Sequence, residues 1–446
     1  MKALLYLYLA LTAAAVAQPI DIASRWELFV DEHLVAQKNG LALKLHDPIK
    51  REIVLTTDQP WEGHTCAYFS VIQDGKKVLM YYRGSSGGSD HSDAQVTCVA
   101  ESTDGIHFTR PKLGLIEAGG TKDNNVIWRG VESHNFSPFL DANPATKPEE
   151  RYKAVGGFRL YAFASADGIH WKKMKDTPVN TKGDFDSQNL AFFDTTRSRY
   201  VCFSRIFSNN VRAVQSCTSS DFLAWSDGIP HRYAKDVPME HFYTSATVPC
   251  PTAPHLFLSF PKRFVPTRKK VPEHGSPGVS DSVFMSSRDG VNWDRHFLEA
   301  WVRPGPDLKN WTDRNNMTAN GIITGDTEWS LYISEHYRHA DHRIRRLTVR
   351  KQGFASMHAD AKGGEFTTHP LKFDGKNLVL NYSTSAAGSI QIDALDESGK
   401  VLTTMPELYG DDLEASVLDV SKLAGQPIRF RVKMKDADLY ALRFAN

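Results

Sequence analysis

The chain has 446 residues, a formal net charge of +1 and 24% charged residues, with the two signs interspersed. That length accommodates a large domain and a smaller one. The charge pattern excludes a basic stripe for nucleic acid and an acidic tail, so any chemistry must be local.

Met1 to Ala17 reads as a secretory signal peptide: Lys2, an apolar run from Ala3 to Leu11, and the small-residue exit Ala15-Val16-Ala17. The run is too short to span a bilayer, and no later apolar segment is long enough. The mature chain is therefore expected to be secreted or periplasmic, with no membrane partner. The next segment, Ile20 to Pro48, contains "WELFVDEHLV" and is expected to supply a strand that helps close a ring of β-sheets.

A repeated unit then begins. Each copy has a polar cluster, an apolar strand, a turn and a second apolar strand, as in "TCAYFSVIQDGKKVLMYYRG" and "QNLAFFDTTRSRYVCFSR". The signature Ser-x-Asp-Gly-x-x-aromatic comes next as "STDGIHF" from Ser102, "SADGIHW" from Ser165 and "SRDGVNW" from Ser287, with a degenerate copy, "SSDFLAW", from Ser219. In such a turn the Ser and Asp side chains bond to backbone, Gly takes a positive φ, and the aromatic ring packs beneath. Its role is that of a structural staple.

Five units, spaced by roughly 50 to 75 residues, predict a five-bladed β-propeller over residues 18–355. Helical periodicity is nearly absent. Over residues 356–446, alternating strands with Asp-Gly and Ser-Gly turns predict a compact β-sandwich. The predicted fold class is all-β, a five-bladed β-propeller followed by a C-terminal β-sandwich.

The cysteines stand at 66, 98, 202, 217 and 250. Export permits one or two local bridges, Cys66 with Cys98 and Cys202 with Cys217; the alternative is five small buried hydrophobes. No CxxC or HExxH spacing points to zinc, and no metal site is predicted.

In a propeller the first strand of each blade lines the central channel, so the residues entering those strands converge on one mouth. Here they are Trp61-Glu62-Gly63-His64, Ser133-His134-Asn135, Asp184 to Asn189, Glu240-His241-Phe242-Tyr243 and Arg314-Asn315-Asn316. Like charges in a partly desolvated pocket push one another's pKa apart, leaving one carboxyl as acid and another as base or nucleophile. Glycosidic cleavage needs that division of labour.

Glu62, Asp186 and Glu240 are the catalytic candidates, with loop capping as the alternative for Glu62. In "DFD" only one carboxylate can face the channel, and Asp186, nearer the strand, is preferred to Asp184. Trp61, His64, His134, Asn135, Asp184, Gln188, His241, Tyr243, Arg314 and Asn316 are the substrate-binding candidates. The three histidines suit substrate binding, acid catalysis or metal ligation. Arg83, Arg205 and Arg263 end second strands, as structural ion partners or as receptors for a carboxylated or sulfated sugar.

The repeat plan, the "SxDGxxW" turns, the C-terminal sandwich and the carboxylates of units one, three and four resemble the glycoside hydrolases of families 32 and 43. The chain looks particularly similar to exported bacterial proteins described as family-32-like. In those families an Asp of the first blade is base or nucleophile, an Asp of the third tunes pKa and holds the sugar, and a Glu of the fourth is the acid. The resemblance gives these roles to Glu62, Asp186 and Glu240 respectively. This chain differs in having Glu62 for Asp, no Arg-Asp-Pro in the third unit, and "MEHF" in the fourth.

The expected function is that of a secreted, exo-acting glycoside hydrolase with a carbohydrate substrate. It would need no cofactor, though a structural calcium ion is compatible with the channel. The alternatives are a carbohydrate-binding propeller without turnover and a sialidase-like enzyme using the arginines and Tyr243.

Overall fold

The computed structural model describes residues 18–85 and 95–446; the signal-peptide reading lies outside them. The fold is all-β. Helical structure among the described residues is confined to short 3-10 turns such as Val131–His134 and Leu308–Asn310. Two compact units form, one from residues 28–31 and 43–356, the other from residues 18–27, 32–42 and 357–446.

The larger unit contains five four-stranded antiparallel sheets, which succeed one another along the chain as the repeats do. Sheet I comprises Ala67–Asp74, Lys77–Ser85, Gln95–Ser102 and Val126–Arg129. Sheet II runs from Ser137–Leu140 through Tyr152–Gly156 and Tyr161–Ser165 to Lys172–Lys173. Sheet III holds Leu190–Asp194, Arg199–Ser208, Val211–Ser219 and Ile229–Pro230. Sheet IV holds Thr247–Cys250, Ala253–Ser259, Met285–Ser287 and Trp293–Asp294.

Sheet V takes Ile323–Thr324, Glu328–Glu335 and Arg343–Arg350, and its outer strand, Ile49–Thr56, comes from the N-terminal side. The closing strand expected from Ile20 to Pro48 thus lies just beyond that segment. The first strand of sheet I is tied directly to the segment that enters sheet V. Asn320 N–H donates to Phe69 O at 2.8 Å, and Val71 N–H to Asn320 O at 2.7 Å.

Sheet IV is bent. Ala246 takes a φ of 42°, and Pro261 interrupts the second strand because it has no N–H to offer a ladder. The mouth-side halves of three strands consequently form their own sheet, His241–Thr244, Lys262–Val265 and Val279–Ser282. Thr244 faces Lys262 in its register.

The repeated turns are staples in detail. Ser165 Oγ accepts from the N–H groups of Asp167 and Gly168, and Asp167 Oδ1 accepts from those of Ile169 and His170. Gly168 has a φ of 78°, and a Cβ there would stand 2.5 Å from Tyr81 Oη, which donates to the Gly168 carbonyl. The "STDG" turn is tied in the same way by Tyr332 of sheet V to Gly105. Position and hydrogen bonding together require glycine at these two turns.

The second unit is built on a long antiparallel pair, Asn377–Leu395 with Arg429–Ala445. Gly364–Thr368 pairs with Arg429–Ala445 on one side and Val35–Asn39 on the other, and Ile20–Ala23 runs parallel to Leu371–Phe373. Strand pairing therefore corrects the expected domain boundaries: residues 18–27 and 32–42 belong with the C-terminal region. Phe373 and Phe444 stack at 3.7 Å between centroids in its core.

All five cysteines are buried free thiols. Cys202 and Cys217 are directly opposed across two strands of sheet III, yet they are unbridged, so the local-bridge expectation gives way to the small-hydrophobe alternative.

Candidate active site

Glu62 does not face the mouth. Its side chain is 0% exposed, and Arg110 grips it from the loop after the "STDG" turn, with Nε to Oε1 at 2.7 Å and Nη2 to Oε2 at 2.9 Å. Tyr82 Oη donates to the same Oε1, and Gln59 N–H donates to Oε2 at 3.2 Å. Both oxygens are saturated, so the loop-capping alternative replaces the catalytic one. Trp61 is likewise buried, donating from Nε1 to Asn125 Oδ1 at 2.7 Å, and offers no stacking face.

Glu240 is partly exposed, but Arg263 and Arg295 hold its oxygens at 3.0 and 2.6 Å. Arg263 also forms a two-pronged pair with Asp281, Nε to Oδ1 at 2.9 Å and Nη2 to Oδ2 at 2.7 Å. Of the three arginines that end second strands, Arg263 is thus a structural ion partner.

Asp186 is the carboxylate left at the mouth, with 46% of its side chain exposed. His134, buried, contacts its Oδ1 from Nε2 at 2.8 Å. Burial alone would raise the Asp186 pKa, but the His134 hydrogen bond and the charges of His134, Arg205 and Arg314 outweigh it and hold the carboxyl below its usual range. An ionised carboxylate only accepts, so Nε2 carries the proton. The other ring nitrogen lies 3.1 Å from Gln95 Oε1, which fixes the ring. Asp184 turns away and caps the Phe207 N–H at 3.1 Å, with Phe185 buried between the two carboxylates.

Beside Asp186 lies a group of cations. Arg205 Nη2 approaches Asp186 Oδ2 at 3.8 Å. The Tyr243 ring is approached by Lys262 Nζ at 3.8 Å and by the guanidinium carbons of Arg212, Arg314 and Arg205 at 5.2, 5.6 and 5.7 Å. Further round, Arg83 donates to Thr65 O at 2.8 Å and lies over the Tyr68 ring at 5.1 Å. His241 accepts from the Arg212 N–H at 3.3 Å; its pKa is lowered by burial and by Arg212.

The remaining candidates are struts or rim groups. Asn135 bridges Phe185 O and Gly157 N–H, fixing the Asp186 loop from beneath. Gln188 reaches across to Phe69 O at 3.0 Å, and Asn316 to Ser280 O at 2.9 Å; all three side chains are buried. His64, half-buried, contributes its backbone carbonyl to Arg338 N–H. Among the described residues no group of three or more His, Cys, Asp or Glu could hold a metal ion.

The structure therefore brings together Asp186, His134, Tyr243, Arg314 and His241 of the expected set, and separates Glu62, Trp61, Asn135, Asp184, Gln188, Asn316 and Glu240 from them. Lys262 and Arg212 were not foreseen. Alternation along a strand was the available signal, since "PKRF" must send adjacent side chains to opposite faces.

No family model matches the chain. A curated relative, an uncharacterized protein of Mycobacterium tuberculosis, is 26% identical over 145 residues, which cover 31% of this chain and 46% of that protein. The chain thus spans about half the length of the curated relative it matches.

Several similar solved structures are glycoside hydrolases. One described as a glycoside hydrolase has a TM-score of 0.45 at 13% identity, over 68% of this chain and 92% of its own. A glycosyl hydrolase from Bacteroides ovatus scores 0.42 at 12% identity, over 73% and 94%. An N-acetylgalactosamine deacetylase from F. plautii, in complex with blood group B trisaccharide, scores 0.44 at 12% identity, over 89% and 95%.

Proposed function

We propose that the protein is an exported glycoside hydrolase that cleaves a terminal sugar at the mouth of the larger unit, with Asp186 as its reactive carboxylate. The observation that carries this reading is the Asp186–His134 pair: a half-exposed, ionised carboxylate whose other side is held by a buried imidazole. An ionised carboxylate with a lowered pKa accepts a proton from an attacking water, or a hydrogen bond from a sugar hydroxyl. His134, donating from Nε2, fixes its direction, and the arriving proton is held on the carboxylate itself. Glu62 has no part in this chemistry, and Glu240 supports the mouth through Arg263 and Arg295.

A second reading, sialidase-like hydrolysis with a tyrosine nucleophile, is favoured by one observation. Tyr243, not a second free carboxylate, stands among the arginines next to Asp186.

The test is release of free sugar from a panel of plant, algal and host glycans by the purified protein, beside the Asp186→Asn and Tyr243→Phe variants. Release lost in Asp186→Asn supports the hydrolase. Release that survives Asp186→Asn overturns the assignment, and retention of a glycan on a column without release by any form makes the mouth a binding site only. Loss in Tyr243→Phe as well selects the tyrosine route.

A further inference from the structure

Lys262 is 0% exposed, and its Nζ has no hydrogen-bond partner. A buried ammonium is normally paired, because taking an isolated charge out of water costs several kcal/mol. The nearest group is the face of Tyr243 at 3.8 Å, and a ring quadrupole replaces only part of the lost hydration. Its electrostatic neighbours are Arg314, Arg212 and Arg205, which repel it, and Asp313, which attracts it; Asp313 itself pairs with His274, Arg314 and Arg338. Four cations therefore surround one tyrosine, and the anions nearest them are Asp313, 3.7 Å from Arg314, and Asp186, 3.8 Å from Arg205.

Such a grouping of like charges is unfavourable by itself, yet it is built into the fold. The bend at Ala246 and Pro261 swings Lys262 to this face while the adjacent Arg263 goes to Glu240 and Asp281. Both the unpaired charge and the repulsion are relieved by one event, the arrival of an anion. Guanidinium forks bind carboxylate and sulfate oxygens in two-pronged fashion, and a buried ammonium adds a point charge that water cannot screen.

We propose that the basin formed by Lys262, Arg205, Arg212 and Arg314 around Tyr243 binds the acidic group of an anionic sugar, a uronic acid carboxylate or a sulfate ester. The inference rests on the proposed function for its sugar, since the adjoining Asp186 is the group that would meet the ring hydroxyls or the anomeric centre. Burial already works against the Lys262 ammonium, and the three arginines add to that effect. Anion binding opposes it, so affinity weakens as pH rises through the Lys262 titration.

The test is isothermal titration of the purified protein, at low salt, with methyl glucuronide and methyl galacturonide, their neutral parent glycosides, and the 6-sulfated forms of those glycosides. At least one anionic sugar is expected to bind about tenfold or more tightly than its neutral parent, with affinity falling as salt rises. Lys262→Met and Arg212→Gln should each remove that margin. Preference for uronides over sulfates, or the reverse, names the source of the anion.

The proposal is overturned if no anionic sugar binds at millimolar concentration, if neutral parents bind as tightly, or if both variants retain the margin. Where Lys262→Met fails to fold, Arg212→Gln carries the test alone. Sugar release from a neutral glycan, dependent on Asp186 but without anion preference, sinks this inference and leaves the hydrolase reading intact. Lys262-dependent anion binding without release from any glycan does the opposite.

Discussion

Two buried lysines in the larger unit show opposite solutions to the same problem. Lys153 of sheet II, 4% exposed in its side chain, forms an ion pair with Asp141 and donates to Tyr200 Oη at 3.0 Å, while Tyr200 donates in turn to Asp141 at 2.7 Å. Burial alone would lower the Lys153 pKa, but the bonds to Asp141 and Tyr200 raise it overall. Lys262 of the bent fourth sheet has no such partner, and burial and the neighbouring arginines move its pKa well down. The first is a finished network between sheets II and III. The second is an unfinished one, and an unpaired buried charge among arginines beside a half-exposed carboxylate marks a place a ligand can complete.

The largest expected effect comes from breaking the finished network. Lys153→Met strands the fully buried Asp141 carboxylate, and should cost about 3–5 kcal/mol in urea unfolding. Lys262→Met, which removes an unpaired charge and supplies apolar volume, should leave stability unchanged or raise it. Equal losses in the two variants would abolish the distinction between the sites. A smaller loss is expected from Glu62→Gln, about 1–3 kcal/mol, because the amide keeps the shape but weakens the contact with Arg110. By the same logic, Asp186→Asn should hardly shift the thermal midpoint while removing sugar release, since Asp186 is half-exposed. A thermal midpoint falling more in Asp186→Asn than in Glu62→Gln would reverse the roles given to the two carboxylates.

Local rules made much of the fold legible. The repeated turns announced themselves because Ser, Asp and Gly act on backbone only a few positions away, and the alternating apolar strands did the same for the sheets. Alternation would put Asp184 and Asp186 on one face; they part because the segment before Leu190 is a bent loop and not a strand. What stayed hidden depends on partners distant in sequence. Arg110 reaches Glu62 across 48 positions, and its pull turns an acidic residue that looks catalytic into a buried strut. Lys262, given no role by the sequence, turns inward while Arg263 pairs with Glu240 and Asp281, because a bend at Pro261 sets which of the two adjacent side chains points inward, and a one-residue change in register moves every side chain to the other face. The N-terminal strands pair with residues near the far end of the chain for the same reason: edge positions carry little pattern of their own, and the partner decides.

The subtlest expected effect is a pH slope. The Lys262 pKa is lower in the folded chain than its ordinary value of 10.5, so between those two values the unfolded chain holds a proton that the folded chain has released. Stability then rises with pH through that window, by at most about 1.4 kcal/mol per pH unit from this one group. The groups facing it, Arg314, Arg212 and Arg205 on one hand and Asp313 on the other, set how wide the window is. Comparing urea midpoints of the wild type and Lys262→Met between pH 6 and 9 isolates the term, because every other titrating group is common to both. The wild type should gain on the variant as pH rises, and a saturating anionic sugar should flatten the difference by giving the ammonium its partner. Lys153, whose pKa moves the other way, predicts the opposite sign near its own titration: its pairing stabilises the protein at lower pH and is lost only as pH climbs through the raised value.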